Sequence, residues 1–414
     1  MSGDVLGVDF GTSNSAVGVM RDGAPVLLPV EGGATTLPTA VFFDFDAGAV
    51  RYGRAAQELL FDGAHGRYMR ALKSVLGTSL MHERRALMGE RLTFVDITGR
   101  FLAHLKARAE AAAGRAFDRA LSGRPVHFHS ADPARDARAE DDLRACYAAA
   151  GFAGVRFLPE PVAAARANAG VLAGGGRGLI VDIGGGTSDF TLFEGDGHDV
   201  TILANGGVRL GGTDFDRLLS LDHVMGLMGR GSRIRHLFGG DTHLAPNAVY
   251  DDLATWAKIP FVQSRDTLRL AKDLARHAVE PDKLARLVRV IGDELGHDVA
   301  FAVEAAKIAA NTGDTQVRLD MVERGLEAPL TRAALAASLA QSGDRLADVA
   351  EATARATGGG PEEVTHLVLV GGSSLMGMVE AALRPRFPNA ALHRGAALTA
   401  IAEGLARASA DPWD

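Results

Sequence analysis

Residues 5–19 and 179–193 repeat one plan. The first stretch reads VLGVDFGTSNSAVGV and the second LIVDIGGGTSDFTLF, each an apolar strand, an aspartate at its end, a glycine turn carrying Thr-Ser, and a second apolar run. The two aspartates, Asp9 and Asp182, stand 173 residues apart. A hairpin echoed at that distance predicts a two-lobed protein whose halves share a plan. A third glycine turn, Gly371-Gly372-Ser373-Ser374, closes the apolar run Leu367–Val370 and precedes the helical spacing of Leu375 to Leu383.

Glycine accounts for 50 of 414 residues, about 12% against a usual ~7%. In such turns it lets the backbone approach an anion and present N–H donors, to which a hydroxyl adds another. Asp9 and Asp182 would supply carboxylates to a hydrated Mg²⁺, which takes only one or two protein oxygens. Two facing turns would clamp a triphosphate. Taken singly, a glycine run such as Gly184-Gly185-Gly186 is equally well a tight hairpin. The turn is followed by strand-like Phe190–Phe193, so it is no Rossmann fingerprint, and no glycine run ends in Gly-Lys-Ser/Thr.

Strands alternating with helices imply α/β architecture. Ala134 to Ala150 reads as a helix stopped by Gly151, Val155 to Leu158 as a short strand, and Val162 to Ala169 as a helix with Pro161 near its start. The Gly174-Gly175-Gly176 run reads as a connecting loop, residues 217–300 as mixed helix, and Pro329 to Thr357 and Ala396 to Ala408 as helices. His127 and His129 alternate with Phe128 and would share a strand face, where they are a metal pair or ordinary histidines. Asp44, Asp46 and Gly48 resemble a calcium-loop fragment or, more simply, a hairpin turn. Trp256 and Trp413 fit no pattern.

A chain of this length divides into two or three domains with a cleft. With 47% hydrophobic and 23% charged residues it buries a sizeable core. The net charge of −7 offers no footprint for nucleic acid or an anionic membrane. The N-terminus has no basic leader region and no apolar run is long enough to span a bilayer, so neither export nor anchoring is expected. Cys146, the single cysteine, lies in an alanine-rich helical stretch and reads as a core thiol in a reducing cytoplasm.

Taken together, the three turns resemble the actin, sugar kinase and heat-shock ATPase superfamily, and the DnaK-type heat-shock protein 70 family in particular, in its short YegD-like subgroup. That resemblance covers essentially the whole chain. It implies a two-lobed actin-like ATPase fold of duplicated ribonuclease H-like domains with a nucleotide cleft between the lobes. Lobe I would span 1–175, completed by a C-terminal helix at about 395–410. Lobe II would span 176–394 with a helical insertion at about 217–310. The ligands would be ATP or ADP with Mg²⁺, the metal held through Asp9 and Asp182. Gly11, Thr12, Ser13 and Asn14 match the first phosphate motif, and Gly184, Gly185, Gly186 and Thr187 the second.

Glu160, in Leu158-Pro159-Glu160-Pro161, matches the connecting segment that helps hold the metal shell and the attacking water, with Asp189 and Thr187 beside it in the catalytic set. Gly211, Gly212 and Asp214 match the run that reaches the nucleotide, and Gly371, Gly372 and Ser373 the adenosine motif. Glu304, Lys307 and Asn311, spaced for one helix face, stand where family members contact ribose and adenine. On spacing alone they are equally a solvated salt-bridge face.

Three positions depart from the family pattern. Gln57 occupies the place of a lysine that steadies the terminal phosphate; Lys73 is a substitute cation or a surface lysine. Ile308 and Leu375 replace two arginines that stack on the base. With the sequence ending soon after Ala396 to Ala408, the family's peptide-binding domain is not expected. The resemblance therefore implies an ATP-binding, slowly hydrolysing chaperone-like protein lacking that domain, with an unidentified protein partner and no nucleic-acid or membrane partner. A catalytically silent nucleotide-binding scaffold and a sugar-type kinase of the same fold are the alternatives.

Overall fold

The structure, a computed structural model, describes residues 5–129, 131–172, 175–195, 200–236, 241–394 and 399–411. Gly174, Ala396 to Leu398 and Trp413, named above, lie outside the described residues.

Two compact units are present. The first comprises residues 1–212, 343–375 and 379–414, and the second 213–342 with 376–378. In the first unit, one sheet runs in the order Gly154–Pro159, Arg119–Arg124, Val5–Phe10, Asn14–Arg21, Ala24–Leu27, with Thr36–Pro38 also pairing to Asn14–Arg21. Another runs Val200–Val208, Ser188–Gly195, Arg177–Ile183, Val364–Val370, Ala391–Arg394. Each contains the repeated hairpin as an antiparallel pair, and in each the strand that carries the aspartate has a parallel neighbour on its other side. All strands of the first sheet precede residue 175 and all strands of the second follow 176.

The core of this unit joins both sheets. Val5 and Leu121 from one, and Ile180, Phe193, Val368 and Val370 from the other, are buried with Ala163–Ala165 of the helix Glu160–Ala167 and Ile401 and Leu405 of the helix Ala400–Ala408. Small residues make this possible. A Cβ at Gly404 would run into the Ala163 carbonyl, and one at Gly7 would lie 2.8 Å from the Ala406 nitrogen. The two helices and the strand therefore meet backbone to backbone.

The second unit is mainly helical, with Arg265–His277, Pro281–Gly292 and Gly296–Ala310, plus hairpins Arg233–Arg235/Thr242–Leu244 and Thr315–Arg318/Glu327–Leu330. Its first helix starts at the boundary, Gly212–Leu219. No helix among the described residues is long and apolar enough to cross a membrane.

Two local expectations are corrected. The strand before His127 stops at Arg124, because Pro125 cannot continue the ladder, so His127 and His129 share no strand face. They line instead a cavity of about 390 Å³ with Arg124, Asp136 and Glu140. The long helix begins at Arg332, not Pro329, which sits in a strand opposite Gln316. Asp44 closes a hairpin, its Oδ1 accepting the Ala47 N–H at 2.9 Å.

Candidate functional site

Strand Val5–Phe10 is buried throughout and delivers Asp9 to the mouth of the first turn. There the Thr39 hydroxyl donates to the Gly11 carbonyl at 2.8 Å and the Thr39 N–H to the Ser13 carbonyl at 2.9 Å. These bonds fix Gly11-Thr12-Ser13 from outside, and Asn14 opens the next strand. In the second hairpin Asp182 lies opposite Asp189, and the Gly184 N–H closes the turn on the Thr187 carbonyl at 3.0 Å.

The turns of the two hairpins meet. A Cβ on Gly185 would lie 2.7 Å from Ser13 Oγ and 3.0 Å from Thr12 Cβ. Gly211 is equally confined, since its Cβ would stand 2.7 Å from the Gly186 nitrogen, and the Gly212 N–H donates to the Gly184 carbonyl at 2.9 Å. Gly371 has φ +81, and a Cβ there would come within 2.7 Å of Asp182 Oδ1 and closer still to the Ile183 carbonyl. A Cβ on Gly212 would strike Ser373 Oγ. Four glycine motifs, far apart in sequence, thus converge beside the carboxylate of Asp182.

Charged groups gather at the same place. Glu160 is the first residue of its helix, and Lys73 sits in the short 3₁₀ turn Leu72–Val75. Lys73 Nζ donates to Glu160 Oε1, with the two side chains only 6% and 9% exposed. Burial, then Glu160, pushes the Asp9 carboxyl up to about 7, against the pull of Lys73. Burial first, then Glu160, Asp189 and Asp9, raises Asp182 well above the usual carboxylate range. Asp189 is raised by burial and Glu160 and restrained by the Val126 N–H, which donates to its Oδ1 at 2.6 Å. Four acids facing one lysine cannot all be ionised together, so the raised carboxyls hold protons until a divalent cation displaces them. Hard oxygen donors suit Mg²⁺. Among the described residues no three such side chains are grouped to hold a metal directly, so the carboxylates fit a hydrated metal beside the glycine turns.

In the second unit Glu304 and Lys307 lie on the helix Gly296–Ala310, and Asn311 caps its end, accepting the Gly377 N–H at 2.7 Å. Asp214 stands in the first turn of Gly212–Leu219. Lys307 is ion-paired with buried Asp216 at 2.7 Å, and Trp256 Nε1 donates to the same carboxylate at 3.1 Å. Sequence reasoning missed that role for Asp216, although it lay inside the run around Asp214, and missed Trp256 entirely. Ile308 is 62% exposed and Leu375 44%. Gln57 is half-buried in the helix Gly53–Phe61.

Paired sheets bearing one repeated hairpin, with glycine turns meeting over buried carboxylates, define an actin-like ATPase fold. The family model described as Hsp70 protein matches residues 5–86 and 81–236, more than half of the chain. The chain belongs to the Hsp70 family, whose members bind nucleotide with a divalent metal.

Proposed function

We propose that this protein binds MgATP at the converging turns and hydrolyses it slowly, as the nucleotide-driven part of a chaperone-type cycle. The observation that carries this reading is the contact between the Gly11–Ser13 and Gly184–Thr187 turns beside the Lys73–Glu160 pair. Backbone N–H groups of both turns, with the Thr12 and Thr187 hydroxyls, hold the β- and γ-phosphates. Asp9 and Asp182 orient the water shell of Mg²⁺, which when bound neutralises phosphate charge. Glu160 and Asp189 accept hydrogen bonds from the attacking water. Lys73 supplies the cation absent at Gln57 and steadies the terminal phosphate. Gly371 to Ser373 border the adenosine, and Asp214, Glu304, Lys307 and Asn311 form its further contacts.

In this reading lobe I is residues 1–175 with a C-terminal helix at about 395–410, and lobe II is residues 176–394. ATP turnover in this reading switches the angle between them. Buried Cys146 supports work in a reducing compartment such as the cytoplasm.

Titration calorimetry tests the reading. Saturable heat with MgATP that disappears in Asp182→Ala is the expected result, and a wild-type protein giving no heat overturns it. Single-turnover phosphate release that depends on Glu160 separates hydrolysis from a silent scaffold. Hydrolysis is the preferred reading because Lys73, 87 residues distant, reaches Glu160.

A further inference from the structure

The Lys73 turn is held at its backbone by side chains from outside it. Arg209 Nη2 donates to the Ser74 carbonyl at 2.9 Å, and Arg209 Nη1 lies 3.2 Å from His129 Nδ1. His129 Nε2 lies 2.8 Å from the Leu76 carbonyl. An arginine only donates, so His129 Nδ1 accepts, and the imidazole must carry its proton on Nε2 and give it to Leu76. One chain of bonds therefore reads Ser74 carbonyl, Arg209, His129, Leu76 carbonyl, with every donor and acceptor role fixed. The His129 backbone N–H donates to Asp136 Oδ1 at 3.0 Å, tying the backbone of residue 129 to the helix Pro133–Ala149.

The other end of Arg209 leads to the second phosphate turn. The next residue, Leu210, accepts the Ser188 hydroxyl at 2.6 Å, and Gly211 lies against Gly184 to Gly186. Ser74 itself faces that turn, its Oγ 3.8 Å from where a Gly186 Cβ would be. Arg209 thus stands between the turn bearing Lys73 and the turn proposed to hold phosphate. We propose that Arg209, acting through His129, is a positioning residue that sets Lys73 against the second phosphate turn. This inference rests on the reading of Lys73 as the cation of the site.

The experiment compares wild type with Arg209→Ala, Arg209→Lys, His129→Gln and the Arg209→Ala/His129→Gln double variant. Hydrogen exchange of the amides at 72–78 and acylation of Lys73 by an amine-reactive ester, both read by mass spectrometry without nucleotide, report the turn directly. Both rise about tenfold or more in Arg209→Ala, while exchange in the strand Arg177–Ile183 stays unchanged. The double variant is no looser than the worse single one, because the two residues form one unit. Single-turnover hydrolysis of MgATP falls roughly 10–100-fold with Kd altered less than about threefold, as misplacement of a catalytic group does. Arg209→Lys, which keeps one donor for the Ser74 carbonyl, recovers part of both losses.

Unchanged exchange and acylation in folded Arg209→Ala overturn the proposal, as does a rise spread evenly over the chain. If Arg209→Ala fails to fold, His129→Gln and Arg209→Lys decide by the same readouts. A wild type that does not hydrolyse ATP sinks the hydrolysis reading alone, since exchange and acylation need no turnover.

Discussion

Lys73 Nζ donates to Glu160 Oε1 across 87 residues of chain, and both side chains are buried. Asp9, Asp182 and Asp189 stand in the field of the same pair. Removing the lysine leaves its partner Glu160 buried with no opposing charge in a low-dielectric setting. Lys73→Met should therefore cost about 3–5 kcal/mol of stability without metal. Saturating MgCl₂ and ATP should restore a large part of it. Urea denaturation at neutral pH measures both, and a loss below about 1 kcal/mol would count against an uncompensated buried charge at Glu160.

Gly371 offers a sharper steric test. Its φ of +81 and the 2.7 Å approach of a Cβ to Asp182 Oδ1 mean that Gly371→Ala meets backbone strain and a clash together. Gly358, at φ +83 with nothing near its Cβ, is the matched control. Both substitutions should lose about 1–2 kcal/mol from the left-handed backbone. Only Gly371→Ala should also weaken MgATP binding, since relief of the clash moves Asp182. Equal calorimetric affinities for the two variants would disprove that link.

The glycine turns were legible because their chemistry is local. Asp-x-Gly-Thr between apolar runs encodes a hairpin and its donors within a few residues, and Gly185, Gly211 and Gly371 lie at contacts where a side chain would not fit. Lys73 was legible only as a choice between roles, because its partner Glu160 lies far along the chain. Arg209 and His129 left no local signal. One stands two residues before a glycine pair, and the other alternates with Phe128 beyond the point where Pro125 ends the strand. The role of Asp216 depends on Lys307 and Trp256 from separate helical segments, a pairing that spacing does not encode.

Cys146 should be chemically silent in the native protein. Burial, and then Asp142 one helical turn away, pushes its thiol up to about 12. At pH 8 the reactive thiolate is a trace species behind packed side chains. Iodoacetamide should label the folded protein negligibly within an hour and the urea-unfolded protein stoichiometrically, by intact mass. Rapid native labelling would contradict the buried assignment.

His366 and His393 face one another from neighbouring parallel strands, with His366 Nδ1 and His393 Nε2 at 2.8 Å. One ring donates and the other accepts, so the pair requires that both not be protonated. Burial first, and then His393, lowers the His366 pKa from its usual value of 6.5. The folded state therefore favours neutral His366. Its contribution to stability is complete above the unfolded pKa and is lost as pH falls through the lower, folded one. His366→Leu cannot take up that proton. Between pH 7.5 and 5 the Tm of wild type should thus fall more steeply than that of His366→Leu, other titrating groups being common to both. Parallel Tm curves across that range would show that protonation of His366 is not linked to folding.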